Sequence, residues 1–113
     1  MNIEEIREFC LSKKAVTESF PFDETTLVFK VENKMFALMN IDGNTRVSVK
    51  CNPELAIELR EKYNFVNGAY HMNKKHWNSI IVEFADDVFL KEQITNSYNL
   101  IVNSLPKNKR NNL

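Results

Sequence analysis

Between Thr26 and Cys51 apolar residues recur at every second position, a period that places one face of a pleated strand against a core. The run is broken only at Asn33-Lys34 and at Asp42-Gly43-Asn44, residue types that tolerate tight-turn conformations. Alternation punctuated this way predicts a three-stranded antiparallel meander: Thr26 to Val31, Met35 to Ile41, and Thr45 to Cys51. With two-residue loops at Asn33-Lys34 and Gly43-Asn44, Phe29, Leu38 and Val49 align across the strands, as do Val31, Phe36 and Cys51, and this face is the expected core. The opposite face then carries Val28, Met39 and Ser48, then Lys30, Ala37 and Lys50, with Ile41 beside Arg46.

Helical signals flank the meander. Asn2 with Glu5 three residues on is a capping pattern, and Ile3, Ile6, Phe9 and Cys10 share one helix face. Phe20-Pro21-Phe22 interrupts the pattern, and its two aromatics are expected to close one end of the core. Asn52-Pro53-Glu54 combines a cap, a proline at the first helical position and an early acid, so a second helix runs to about Tyr63. Phe65 to Met72 and Trp77 to Phe84 read as a hairpin tipped by Asn73-Lys74-Lys75. Asp86 or Asp87 then caps a last helix in which Leu90, Ile94, Tyr98, Ile101 and Leu105 recur at three and four, ending before Pro106. The order is helix, three strands, helix, two strands, helix: an α+β, two-layer fold with an antiparallel sheet and helices on one face. Residues 1–106 form a single domain, and 107–113 a flexible basic tail.

Composition bounds what such a domain does. Fifteen Lys and Arg balance 15 Asp and Glu, and apolar residues make up 43% of 113, so the chain is neither disordered nor uniformly basic. Neutrality is nonetheless a sum of patches, because residues 33–82 hold seven cations against four acids, while residues 1–32 and 83–105 are acidic. The first residues lack a signal-peptide pattern and no apolar run spans a bilayer, which predicts a cytoplasmic protein with no membrane contact. Cys10 and Cys51 sit among apolar residues and read as reduced core thiols. With two glycines and no G-x-S-x-G, H-E-x-x-H or phosphate loop, the reading assigns no catalytic residue, no metal and no cofactor. The His71/His76 pair falls short of the three or four ligands a zinc site needs.

Tyr70 to Asn78, Y-H-M-N-K-K-H-W-N, is the most distinctive stretch. It joins two cations, two imidazoles, two amides and two large aromatics, a set suited to phosphate contacts from Lys74 and Lys75 and stacking by Tyr70 or Trp77.

The segments F-P-F-D-E-T-T-L-V-F-K-V (Phe20 to Val31), K-M-F-A-L (Lys34 to Leu38), V-K-C-N-P-E-L-A (Val49 to Ala56) and Y-H-M-N-K-K-H-W-N together resemble the MmcQ/YjbR family of small bacterial proteins. S-Y-N-L-I-V (Ser97 to Val102) in the last helix and L-P-K (Leu105 to Lys107) at its end resemble it too. The resemblance implies a CyaY-like fold, akin also to secretion chaperones. It further implies a non-catalytic DNA-binding role inferred from two β-hairpins acting as wings. Carried onto this chain, the wings are the Gly43 and Tyr70–Asn78 hairpins, with Arg46, Lys50, Tyr70, Asn73, Lys74, Lys75, His76 and Trp77 as candidate nucleic-acid contacts. The alternative is a protein-interaction or homodimer module using the outer sheet face at Val28, Met35, Met39 and Ile41. A third reading, frataxin-like metal handling by the acidic N-terminal surface, rests on the CyaY-like resemblance together with the cluster Glu4, Glu5 and Glu8.

Overall fold

The computed structural model describes residues 1–69 and 72–113. Its elements are α1 (Ile3–Leu11), β1 (Val16–Ser19), β2 (Thr26–Val31), β3 (Lys34–Asn40), β4 (Arg46–Lys50), α2 (Pro53–Lys62), β5 (Val66–Gly68), β6 (Trp77–Ile81), a 3-10 turn at Val82–Phe84, α3 (Asp87–Ser104) and α4 (Lys107–Asn111). The strands form one antiparallel sheet in the order β1-β2-β3-β4-β6-β5.

Each long helix starts where its cap dictates. The Asn2 side chain accepts from Glu5 N at 2.8 Å and the Glu5 carboxylate accepts from Asn2 N at 3.0 Å, completing a capping box for α1. Asn52 Oδ1 accepts from Glu54 N at 3.0 Å ahead of Pro53, and Asp86 Oδ1 accepts from Phe89 N at 3.0 Å to start α3. All three helices cover one face of the sheet, contributing Ile6, Cys10, Leu59, Leu90, Ile94 and Ile101 to a core that includes Leu27, Phe29, Val31, Val47 and Val49. No helical residue belongs to the smaller cluster on the outer face, which is built from Val28, Leu38, Ala69 and Trp77 with Met35 and Met72 at its rim.

The α+β class and antiparallel sheet stand as read from the sequence, while the structure adds an edge strand and moves a register. β1 pairs with β2 at Val16↔Val31 through Ser19↔Val28. The β2–β3 turn is Glu32-Asn33, both at positive φ, one residue earlier than Asn33-Lys34. Lys30 then faces Met35 and Phe29 faces Ala37, leaving Phe36 as an extra residue on β3. One extra residue reverses the facing of everything beyond it. Ala37 and Met39 therefore lie in the inner core and Leu38 lies on the outer face, the reverse of the expected arrangement.

The outer apolar patch expected for a partner is accordingly much reduced. Met39 is inside, Val28 is covered by its neighbours, Met35 is half-buried, and only Ile41 is exposed, at 37%. Phe20 and Phe22 do not close the core; they are 46% and 64% exposed on the loop between β1 and β2. Where a loose tail was expected, Lys107–Asn111 is helical and Leu113 packs against the core.

The bulge at Phe36 needs a substitute partner, and α3 supplies it. Cys51 N donates to His76 O on the β6 side, so the neighbouring Lys50 N–H is directed at β3, where Phe36 O would be its ladder acceptor. Instead the Ser97 hydroxyl sits between them, accepting from Lys50 N at 2.9 Å and donating to Phe36 O at 2.6 Å. Ser97 is fully buried. Ser97→Ala leaves a buried donor and a buried acceptor unpaired, and we expect it to cost about 1–3 kcal/mol in urea unfolding at unchanged m-value.

Candidate nucleic-acid interface

β4 sets out the polar side chains of the outer face. Val47 and Val49 point into the core, so Arg46, Ser48 and Lys50 point away from the helices. Lys50 lies opposite Trp77, the first residue of β6. Just before it, Asn73 Oδ1 accepts from Lys75 N at 3.0 Å, and Asn73 O accepts from His76 N and Trp77 N at 3.0 and 2.9 Å. This turn holds Lys74 and Lys75 in solvent.

Two further cations join them. Arg60 on α2 donates from Nη1 to Lys74 O at 3.1 Å. A Cβ built on Gly68 would stand 2.9 Å from that Nη1 and 3.2 Å from Lys74 Cγ, so the missing side chain is what lets both residues lie over β5. Lys30 projects from β2 on the outer face, since Phe29 and Val31 beside it point inward, and it pairs with Met35 at the same end of the sheet. Lys30, Lys50, Lys74 and Lys75 thus lie along one end of the sheet, spread from β2 to β5, with Arg60 beside Lys74 on the α2 side. The two ion pairs among the described residues, Met1 N–Asp87 and Arg7–Glu18, involve none of them.

Not every expected contact is there. Arg46 is on the same face but at the far end of β4, about 14 Å along the strand at ~3.4 Å per residue. The two hairpin loops proposed as wings sit at opposite ends of that strand, because the Gly43 loop precedes Arg46 and the Lys74-Lys75 turn adjoins Lys50. Trp77 is only 8% exposed, packed with Val28, Leu38 and Ala69, and is not placed to stack on a base. Asn73 is occupied with its own turn, and His76 is half-buried with its carbonyl accepting from Cys51 N at 2.7 Å. Tyr70 and His71 lie outside the described residues. Lys30 was recognisable as an outer-face position by alternation alone, whereas Arg60 had no local signal, since its position follows from how α2 packs on β5 and β6.

The thiols are poor nucleophiles. Burial pushes Cys10 from its ordinary 9.0 up to about 12, and burial also raises Cys51, opposed by the nearby Arg60 charge. Among the described residues no three His, Cys, Asp or Glu converge as a metal-holding group, and no helix is long and apolar enough to cross a membrane.

An open six-stranded antiparallel sheet with its long helices on one face and a row of cations along one end defines a small two-layer α+β domain. The chain belongs to the YjbR family, whose model matches residues 11–100. It is 32% identical over 112 residues to the uncharacterised protein YjbR of Escherichia coli K12, covering 97% of this chain and 95% of that one. It is also 31% identical over 106 residues to the uncharacterised protein YbdF of Escherichia coli O157:H7, covering 92% and 87%. Among solved structures, a Deinococcus radiodurans protein with the family-model domain DUF419 superposes with a TM-score of 0.92 at 33% identity, over 98% of this chain and 86% of that one. A Pseudomonas syringae protein does so at 0.77 and 25%, over 88% and 98%.

The buried thiols generate a direct test. In the native protein at about pH 8 neither cysteine should react quickly with a thiol reagent, and both should react once urea unfolds the chain. Between pH 9 and about 12 the folded Cys10 keeps a proton that the unfolded chain releases, so stability should fall as pH rises through that interval.

Proposed function

We propose that the protein is a non-catalytic DNA-binding module that contacts the phosphodiester backbone through Lys30, Lys50, Arg60, Lys74 and Lys75. One observation supports this above all: cations from β2, β4, α2 and the β5–β6 connection lie along one end of the sheet without a carboxylate ion-pairing to any of them among the described residues. The Arg60 guanidinium is additionally held by its hydrogen bond to Lys74 O, which reduces the side-chain freedom that Arg60 loses on binding. The chain as a whole is neutral, so the attraction is local and modest. With Trp77 packed away, the contact reads phosphate rather than base, and sequence preference should be slight.

Fluorescence anisotropy with a labelled duplex, repeated over a salt series, tests the proposal. If each of the five cations neutralises one phosphate, log K should fall against log salt with a slope of about −4.5, and Lys74→Ala/Lys75→Ala should reduce that slope by about 1.8. Arg46→Gln, at the far end of β4, should leave the slope unchanged. Absence of binding at low salt, or a double variant that binds like the parent, would reject the assignment.

A further inference from the structure

We propose that the end of the molecule opposite the lysines is a docking surface for a basic segment of a partner protein, one that carries a large apolar side chain between Lys or Arg residues. At its centre is an open groove of about 580 Å³, lined by residues 1–4, 43–45 and 81–83, between the start of α1, the β3–β4 loop and the 3-10 turn. The Gly43 loop leads into Arg46 while the Lys74-Lys75 turn adjoins Lys50, so the groove and the lysines lie at opposite ends of β4.

Apolar surface is held open there. Ile3 and Ile81 are half-buried in the groove wall. Phe84, 64% exposed, directly follows Glu83, and Val88, 75% exposed, follows Asp87, whose carboxylate accepts from the Met1 ammonium at 2.8 Å. Their neighbours fill the inward positions. Ala85 is buried with its N–H on Val82 O, and Phe89 packs against Tyr63 and Phe65 with ring centroids 4.8 and 5.6 Å away. Large apolar side chains kept in water beside a groove with a polar rim mark an interaction surface.

The free charge at this end is negative. Glu4 and Glu83 line the groove and Asp42 adjoins it at Gly43; all three are exposed, and none enters an ion pair among the described residues. The cations around them are committed elsewhere. Arg7, a turn on from Glu4, donates from Nε to both Glu18 oxygens at 2.9 Å, and the Met1 ammonium is held by Asp87. Lys91 lies over the Phe9 ring, and Arg46 points to the outer face of the sheet. Carboxylates on two walls of a groove, beside an exposed apolar pair, complement a segment of opposite charge with an apolar anchor. A nucleic-acid phosphate, or the same groove on a second copy, would meet like charge. The two ends of a neutral chain thus address different partners.

Fluorescence anisotropy with short labelled peptides of repeated Leu-Lys-Lys, Leu-Glu-Glu and Ser-Lys-Lys, at low and moderate salt, tests the surface. The Leu-Lys-Lys peptide should bind more tightly than either of the others by about tenfold or more. Glu4→Gln/Glu83→Gln should weaken it by about three- to tenfold and flatten its salt dependence. Phe84→Ser/Val88→Ser should weaken it while leaving the salt dependence in place. Lys74→Ala/Lys75→Ala should change nothing, which separates this surface from the DNA-contacting end. The proposal is overturned by no binding of the Leu-Lys-Lys peptide, by equal binding of either other peptide, or by groove variants that bind it like the parent. Light scattering at low salt adds one more such outcome: self-association abolished by Glu4→Gln/Glu83→Gln would give the groove to the lysines of a second copy. All the substituted side chains are exposed, so the variants are expected to retain the parent's thermal transition.

Discussion

The Ser97 hydroxyl, wedged between Lys50 N–H and Phe36 C=O, is the contact on which the two faces of the sheet depend. It supplies a partner for both backbone groups where β3 carries its extra residue, and so makes the bulge tolerable in a buried position. The bulge in turn admits Phe36 and Ala37 together to the inner core, where Phe36 meets Phe29 at 6.4 Å between centroids and Tyr98 edge-on at 5.3 Å. Beyond it, β3 sends Met39 inward and Leu38 outward. α3 is thus bonded into the sheet at the bulge as well as packed on it.

The outer face inherits its division of labour from that register. Successive outward positions of β4 have different surroundings: Arg46 adjoins the Gly43 loop, Ser48 lies between Leu38 and Ser79, and Lys50 belongs to the basic end beside Lys74 and Lys75. Trp77 and its neighbours form the apolar cluster of this uncovered face. A chain of zero net charge can therefore present a locally positive surface, because its acids are concentrated in residues 1–32 and 83–105.

Much of this was legible in the residues. Asn2 with Glu5, Asn52 with Pro53, and Asp86 announce their helices because capping is local chemistry, and Gly43 adopts the positive φ its turn signal implied. β1 was harder to see, since four residues with Val16 and Glu18 only half-buried leave a weak alternation. The register was misread because Glu32, not a residue that favours positive φ, occupies the turn, and because an extra residue in β3 has no signature of its own. At the basic end Lys50, Lys74 and Lys75 come together as their strands imply. Arg46 was grouped with them although it starts the strand that Lys50 ends, and Trp77 was credited with an exposure that its packing removes.

The sheet leaves one face without helices, which raises the question of what stops copies of the chain from adding to its edges. Its outermost strands are brief, four residues in β1 and three in β5. So few unpaired backbone groups make a poor template for another strand, and Arg60 and Lys74 lie across β5 at Gly68, where an approaching copy would meet like charge. Two of the cations in the proposed DNA contact thus also discourage sheet extension at β5, and the protein keeps an open face without inviting fibrous self-association.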